Sequence, residues 1–128
     1  MVTLKKPNLE METSIYGTDG RANMYIADDS ETIYTWEGYA VCYLVDEKIY
    51  CWRGKHLGWF LNGILYDLDG YRIGYTQDMY PRIRYTERTK WTKKTKRTKY
   101  TRQTARTRPT LKTSESTADL EKYFSQDH

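Results

Sequence analysis

His56 is the only histidine inside the chain, the other being His128, so any Ser/His/Asp or Cys/His set would have to be built around it. Its place beside Gly58 and Trp59 suits packing better than proton transfer. Asp67 and Asp69 are close enough in sequence for paired-carboxylate chemistry, but they precede Gly70, where Asp serves the local hydrogen bonds of a turn. Cys42 and Cys51 are too few for a disulfide framework and have no companions at metal-ligand spacing. The glycines are spaced as turns, and no Gly-rich stretch opens a helix to cradle a phosphate. The sequence therefore reads as non-enzymatic, with neither cofactor nor metal expected. Recognition chemistry is what remains: aromatic rings and clustered cations.

These two chemistries occupy different parts of the chain. Residues 1–81 carry 7 Lys/Arg against 12 Asp/Glu, residues 82–112 carry 13 against 1, and residues 113–128 carry 1 against 4. An acidic body is thus followed by a strongly basic arm, and the net charge of +4 conceals both. Leu, Ile, Val and Phe make up only about 16% of the 128 residues, a level usual for disordered chains, but thirteen Tyr and four Trp supply the missing buried area. These are strand formers, which favours an all-β body. No apolar run approaches the 18 or so residues of a membrane span, and residues 1–7 lack the apolar stretch of a signal peptide. A cytoplasmic location is the expectation.

The rings recur in a pattern. Four segments align without gaps on aliphatic-Tyr, three residues, Gly, four residues, aromatic: Ile15 to Ile26, Ile33 to Leu44, Ile49 to Phe60 and Leu65 to Thr76, with Gly20, Gly38, Gly54 and Gly70 in register. Each unit reads as a β-hairpin with a two-residue primed turn ending in the glycine. That turn would set Trp36 against Tyr39, Tyr34 against Val41, Trp52 against Lys55 and Tyr50 against Leu57. Alternation would then place Ile33, Thr35, Ala40, Cys42 and Leu44 on the opposite face, with Ile49, Cys51, His56, Gly58 and Phe60 beside them. Four-residue links, 45–48 and 61–64, can return the chain antiparallel. If Leu44 pairs with Ile49, Cys42 lies opposite Cys51, either as two small buried thiols or as a disulfide. A lone hairpin is marginal in water, so the four must bury faces against each other, as a ring of petals or a linear solenoid. The patterned stretch is short, so self-association into a homo-oligomer is a further expectation. In the ring, Tyr34, Trp36, Tyr50, Trp52, Trp59 and Tyr66 would either form the core or line a central channel for an apolar or lipid-like ligand.

These residues, most clearly Ile33 to Gly38, Ile49 to Phe60 and Leu65 to Gly70, resemble the four-fold β-flower family, a prokaryotic group of short hairpin repeats set as petals round an axis. The resemblance runs from Ile15 to Thr76. It implies a pseudo-fourfold flower of four hairpins, followed by a basic three-residue-periodic tail and a short acidic C-terminus containing Phe. The tail residue that recurs in the family is Pro, where this chain has Thr. No catalytic residues come with the resemblance. The implied organisation is an N-terminal extension over 1–13, the hairpin domain over 14–81, the basic arm over 82–113 and an acidic helical tail over 114–128.

From Thr86 to Thr113 every third residue is Thr, with Lys and Arg filling most places between. Period three fits neither helix nor alternating strand, though a polyproline II strand would align the threonines on one edge. Three readings stand open. The arm is a solvated low-complexity tail, or it lies along the acidic body, or it is a contact surface for a polyanion such as nucleic acid or anionic lipid. The last would use Arg88, Lys90, Lys93, Lys94, Lys96, Arg97, Lys99, Arg102, Arg106 and Arg108, with Trp91 and Tyr100 stacking on bases or seated at a membrane interface. Residues 116–125 predict a short helix capped by Ser116 or Thr117, with Leu120, Tyr123 and Phe124 on the side that docks.

Overall fold

The structure, a computed structural model, describes residues 12–126; residues 1–11, most of the expected N-terminal extension, and residues 127–128 lie outside the described residues. Strands β1 (Thr13–Gly17), β2 (Ala22–Ile26), β3 (Thr32–Thr35), β4 (Ala40–Val45), β5 (Lys48–Cys51), β6 (His56–Leu61), β7 (Ile64–Tyr66) and β8 (Arg72–Thr76) are followed by one short helix, α1 (Leu120–Phe124). Each strand pairs antiparallel with its neighbours in sequence, and β8 returns to β1, so the sheet closes into a barrel. Closure leaves no strand edge to template aggregation. It also rules out the linear solenoid.

The turns differ from expectation in an informative way. Three residues, not two, separate the closing pair at each repeat glycine: Thr35 N–H donates to the Tyr39 carbonyl while Gly38 N–H donates to the Thr35 carbonyl, at 2.8 and 2.9 Å, and the same pair of bonds forms at Gly20, Gly54 and Gly70. The glycine takes the left-handed position, with φ of 98° at Gly38 and 86° at Gly54. The tight two-residue turns are in the links instead, as at Asn62-Gly63, where φ is 51° and 79° and Leu61 pairs with Ile64. Beyond each three-residue turn a bulge adds one residue to the returning strand: Tyr34 pairs with Ala40 but Ile33 with Cys42, and Tyr50 pairs with His56 but Ile49 with Gly58. The expected oppositions of Tyr34 to Val41 and Tyr50 to Leu57 are therefore wrong by one residue, and Trp36 and Trp52 stand in the turns, outside the ladder.

That single residue decides what is buried where. The bulge residues Val41, Leu57 and Ile73 turn into an aliphatic core with Ile15, Met24, Ile33, Cys42, Ile49, Cys51 and Leu65. Ala40 and His56, expected on the aliphatic side, move to the aromatic side, where His56 packs against Tyr50 and Trp59. Leu44 pairs with Ile49 and Cys42 with Cys51, as the link length predicted, and both thiols are free and buried.

Helix α1 closes the aliphatic core. It is shorter than expected and begins later: Asp119, not Ser116 or Thr117, is the N-cap, its carboxylate accepting from Lys122 N–H at 3.0 Å. Leu120 and Phe124 are buried among the residues of all four hairpins. The Cys42 Sγ–H donates to the Phe124 carbonyl at 3.1 Å, and burial pushes that thiol well above its ordinary pKa. In the second and third hairpins the turn Trp N–H bonds directly to a bulge carbonyl, Trp36 to Asn23 and Trp52 to Val41. In the fourth the Tyr123 hydroxyl is inserted between them, accepting from Leu68 N–H at 3.2 Å and donating to the Leu57 carbonyl at 2.6 Å. The helix occupies the place of one sheet hydrogen bond.

Candidate polyanion interface

The basic arm is ordered. Residues 83–112 are neither helix nor strand, yet they pass the four hairpin turns in sequence order. Tyr85, Lys94, Gln103 and Lys112, nine residues apart, each donate a backbone N–H to the carbonyl of Gly20, Gly38, Gly54 and Gly70, at 2.8 to 2.9 Å. Trp91 and Tyr100, again nine apart, donate to the Trp36 and Trp52 carbonyls at 3.0 Å. The indoles answer in kind: Trp36 Nε1–H donates to the Arg88 carbonyl at 3.0 Å and Trp52 Nε1–H to the Arg97 carbonyl at 2.8 Å. Nine extended residues span about 28 Å at polyproline rise, enough to reach from one hairpin to the next round the outside of a small barrel. Three threonine triplets thus serve one hairpin, and the arm is a strap. The reading of a solvated tail is overturned by these bonds.

The strap covers the aromatic face. Tyr34, Trp36, Tyr50 and Trp52 lie in one buried cluster, Tyr66 in another with Ile64 and Tyr75, and Trp59 is buried against His56. The interior belongs to the aliphatic residues, so these rings do not line a central channel; they sit on the barrel's outer side. Lys90 lies 4.3 Å from the Tyr25 ring centre and Lys99, nine residues on, 4.1 Å from that of Tyr43. Lys93 and Arg102 repeat the relation over Tyr34 and Tyr50 at 5.3 and 5.4 Å. Such contacts contribute about 0.5–1 kcal/mol each at exposed sites.

Carboxylates of the body neutralise part of the strap. Glu12 takes both Lys90 and Lys93, at 2.8 and 2.9 Å, Asp29 takes Lys96 at 3.6 Å, Glu31 takes Lys99 at 3.0 Å, and Glu47 takes Arg108 at 3.7 Å. Arg88 is drawn inward to the Ala22 carbonyl and Asn23, and Lys94 to the Glu37 carbonyl. Arg106 N–H donates to His56 Nδ1 at 2.9 Å, while His56 Nε2 is paired with the Gly58 carbonyl. With Nδ1 accepting, the ring is neutral and both nitrogens are committed to structure, and burial lowers the His56 pKa in the same sense. Trp91 and Tyr100 keep their rings in solvent, 62% and 59% exposed.

Between strap, second hairpin and third hairpin lies a cleft of about 140 Å³, with Ala40 and Trp52 as floor, residues 94–98 as wall, and Tyr39, Arg53 and Tyr100 at the rim. The sequence singled out Lys94, Lys96, Arg97 and Tyr100 but missed Tyr39 and Arg53, which lie far from the charge block in the chain. The nine-residue spacing of Trp91 and Tyr100 was the available signal that the arm is gauged to the hairpins.

Buried phenols report the hold of the strap and of the helix. Burial first, helped by Glu87 at Tyr16 and by Glu115 at Tyr75, pushes Tyr16, Tyr25, Tyr75 and Tyr123 up to about 12. A phenol raised above its unfolded value of about 10 stabilises the fold fully below that pH and loses its contribution as pH rises to about 12. Alkaline titration followed by tyrosinate absorbance is expected to show an early group of exposed tyrosines and a later, cooperative group that ionises as the fold opens. A single non-cooperative transition near pH 10 with the barrel intact would sink this reading.

A closed antiparallel barrel of repeated hairpins, encircled by its own basic strap and stoppered by its own helix, is a class of domain in which the segment after the sheet is part of the fold. The chain belongs to the family described as 4-fold beta flower protein, whose model matches residues 13–124, from the first strand to the last residue of the helix. No curated protein and no solved structure matches it. Among the described residues no helix is long and apolar enough to cross a membrane, and no group of His, Cys, Asp and Glu is placed to hold a metal.

Proposed function

We propose that the chain is a non-enzymatic binding module in which four pseudo-equivalent hairpins form a rigid scaffold and the strap presents a row of cations to a polyanion. One observation carries the reading: the strap is fixed through its backbone and its buried indole partners, which leaves Lys and Arg heads directed by the scaffold and, among the described residues, incompletely matched by carboxylates. A cation row held in place loses less side-chain and chain entropy on binding than a free tail. The alternative, capture of an apolar ligand by Tyr34, Trp36, Tyr50 and Trp52, would require the strap to lift, since these rings are buried beneath it.

The test is a titration of the full chain with single-stranded oligonucleotide, duplex and anionic vesicles from low to physiological salt. Binding to at least one, with log K falling linearly in log salt by about 0.7 to 0.9 per phosphate engaged, is the expected result. Absence of binding to all three at low salt overturns the proposal.

A further inference from the structure

Repeated architecture supplies its own controls. The residue positions that line the cleft between the second and third hairpins have counterparts at the other hairpin junctions, found by stepping one hairpin along the body and nine residues along the strap. In the observed cleft the turn residue before the glycine is Arg53, and the strap supplies Lys94, Lys96 and Arg97; its lining includes no carboxylate. One step back, the same positions are Glu37, Tyr85, Glu87 and Arg88; one step forward they are Asp69, Gln103, Ala105 and Arg106. The floor changes as well, from Trp52 to Leu68 in the forward step, and the rim position of Tyr100 becomes Pro109. Only the cleft between hairpins two and three joins four cations to three aromatic rings.

Among the described residues, the strap cations there are only partly matched by carboxylates. Lys96 is shared with Asp29 at 3.6 Å and with Thr32 Oγ1 at 3.3 Å, and Lys94 donates to the Glu37 carbonyl. The guanidinium of Arg97 has no ion pair among the described residues. Rings flank the mouth on both sides. Lys94 sits 4.8 Å from the Tyr39 ring centre and 5.5 Å from that of Trp91, and Arg53 lies 5.3 Å from that of Tyr100. Tyr39, Trp91 and Tyr100 are 41%, 62% and 59% exposed, an unusual concentration of solvent-facing rings in a chain that buries most of its others.

From this juxtaposition we infer that the cleft seats a phosphate of a single-stranded nucleic acid, with neighbouring bases stacked on Tyr39, Trp91 and Tyr100. The inference rests on the polyanion reading and narrows it to one site and one ligand class. Its volume of about 140 Å³ admits a phosphate group, and the exposed rings serve unstacked bases, which a duplex does not offer. Cations without rings would serve any polyanion alike.

Fluorescence anisotropy of a short labelled oligothymidylate with the full chain tests it, together with quenching of the protein's own Trp emission. The expected result is single strand bound in preference to duplex and to phosphatidylserine vesicles, with Trp emission quenched. Arg97→Gln is expected to weaken binding about tenfold and to reduce the salt slope by about 0.7, while Arg106→Gln, the same position one hairpin later, costs less than about threefold. Tyr100→Leu is expected to cost about fivefold or more without changing the slope. Equal losses at Arg97 and Arg106, or a preference for duplex or vesicles, overturn the cleft while leaving the strap reading in place. Failure of every polyanion to bind at low salt overturns both.

Discussion

Phe124→Ala is expected to lower the stability of the fold by about 3–5 kcal/mol, the usual cost of emptying a buried Phe site. The side chain is 1% exposed, and it lies with Leu120 among aliphatic residues drawn from every hairpin. A domain of this size has only about 5–15 kcal/mol to lose, so this one truncation removes a large part of the margin. The effect spreads through the backbone, because the same helix holds Cys42 Sγ and puts the Tyr123 hydroxyl between Leu57 and Leu68. Equilibrium denaturation with urea measures it. A loss below about 1 kcal/mol would mean that the barrel closes its core without the helix, and the plug would be an ornament of the fold.

Gly54→Ala is the second large effect, and it acts on the strap. A β-carbon there would stand 2.2 Å from the Thr101 carbonyl oxygen, in a backbone conformation with φ of 86° that side chains disfavour. The strap must withdraw, forfeiting the Gln103 bond to the Gly54 carbonyl and the neighbouring Tyr100 bond to Trp52. With about 1 kcal/mol or more for the left-handed conformation and about 1 kcal/mol for each lost bond, a total near 3 kcal/mol is expected. Gly20→Ala is the comparison: φ is 85°, but its nearest atoms, the Tyr80 hydroxyl and the Ile83 carbonyl, are 3.1 and 3.3 Å away, so they need give by only a few tenths of an ångström and the conformational cost dominates. Urea unfolding should separate the two by about 2 kcal/mol. Trypsin, which finds a Lys or Arg at almost every strap triplet, should cleave the Gly54 variant much faster. Equal cleavage of both variants would show that the strap is not seated on Gly54.

The hairpins were legible in the sequence because glycine, aliphatic and aromatic positions repeat together, and the link 45–48 was enough to place Cys42 opposite Cys51. The bulges were not, because nothing local distinguishes Val41 as an extra residue from Val41 as a paired one; the choice is made by the aliphatic core that receives it. That one-residue error carried Ala40 and His56 to the wrong side and left the aromatic rings apparently free to face a centre. The strap was hidden for a different reason. A run of Thr, Lys and Arg has the composition of a disordered tail, and its order comes from hydrogen bonds to hairpin carbonyls 42 to 65 residues earlier in the chain, of which the nine-residue step from Trp91 to Tyr100 is the one local trace. Of the candidate site, the cations and the exposed Tyr100 were foreseeable, whereas Arg53 and Tyr39 joined them only through the folding of the strap over the second and third turns.

The nine-residue step of the strap ties two lengths of the gene together. Adding a petal to such a flower by duplicating a hairpin would leave its turn unbuckled unless nine codons were also added, some distance downstream, in the strap. An insertion of three residues keeps the threonine ladder intact and still sets every later backbone donor against the wrong hairpin position. Length variation in this architecture is therefore expected to be quantised, with petals and strap growing or shrinking in matched increments, and a designer who wants five petals has two edits to make.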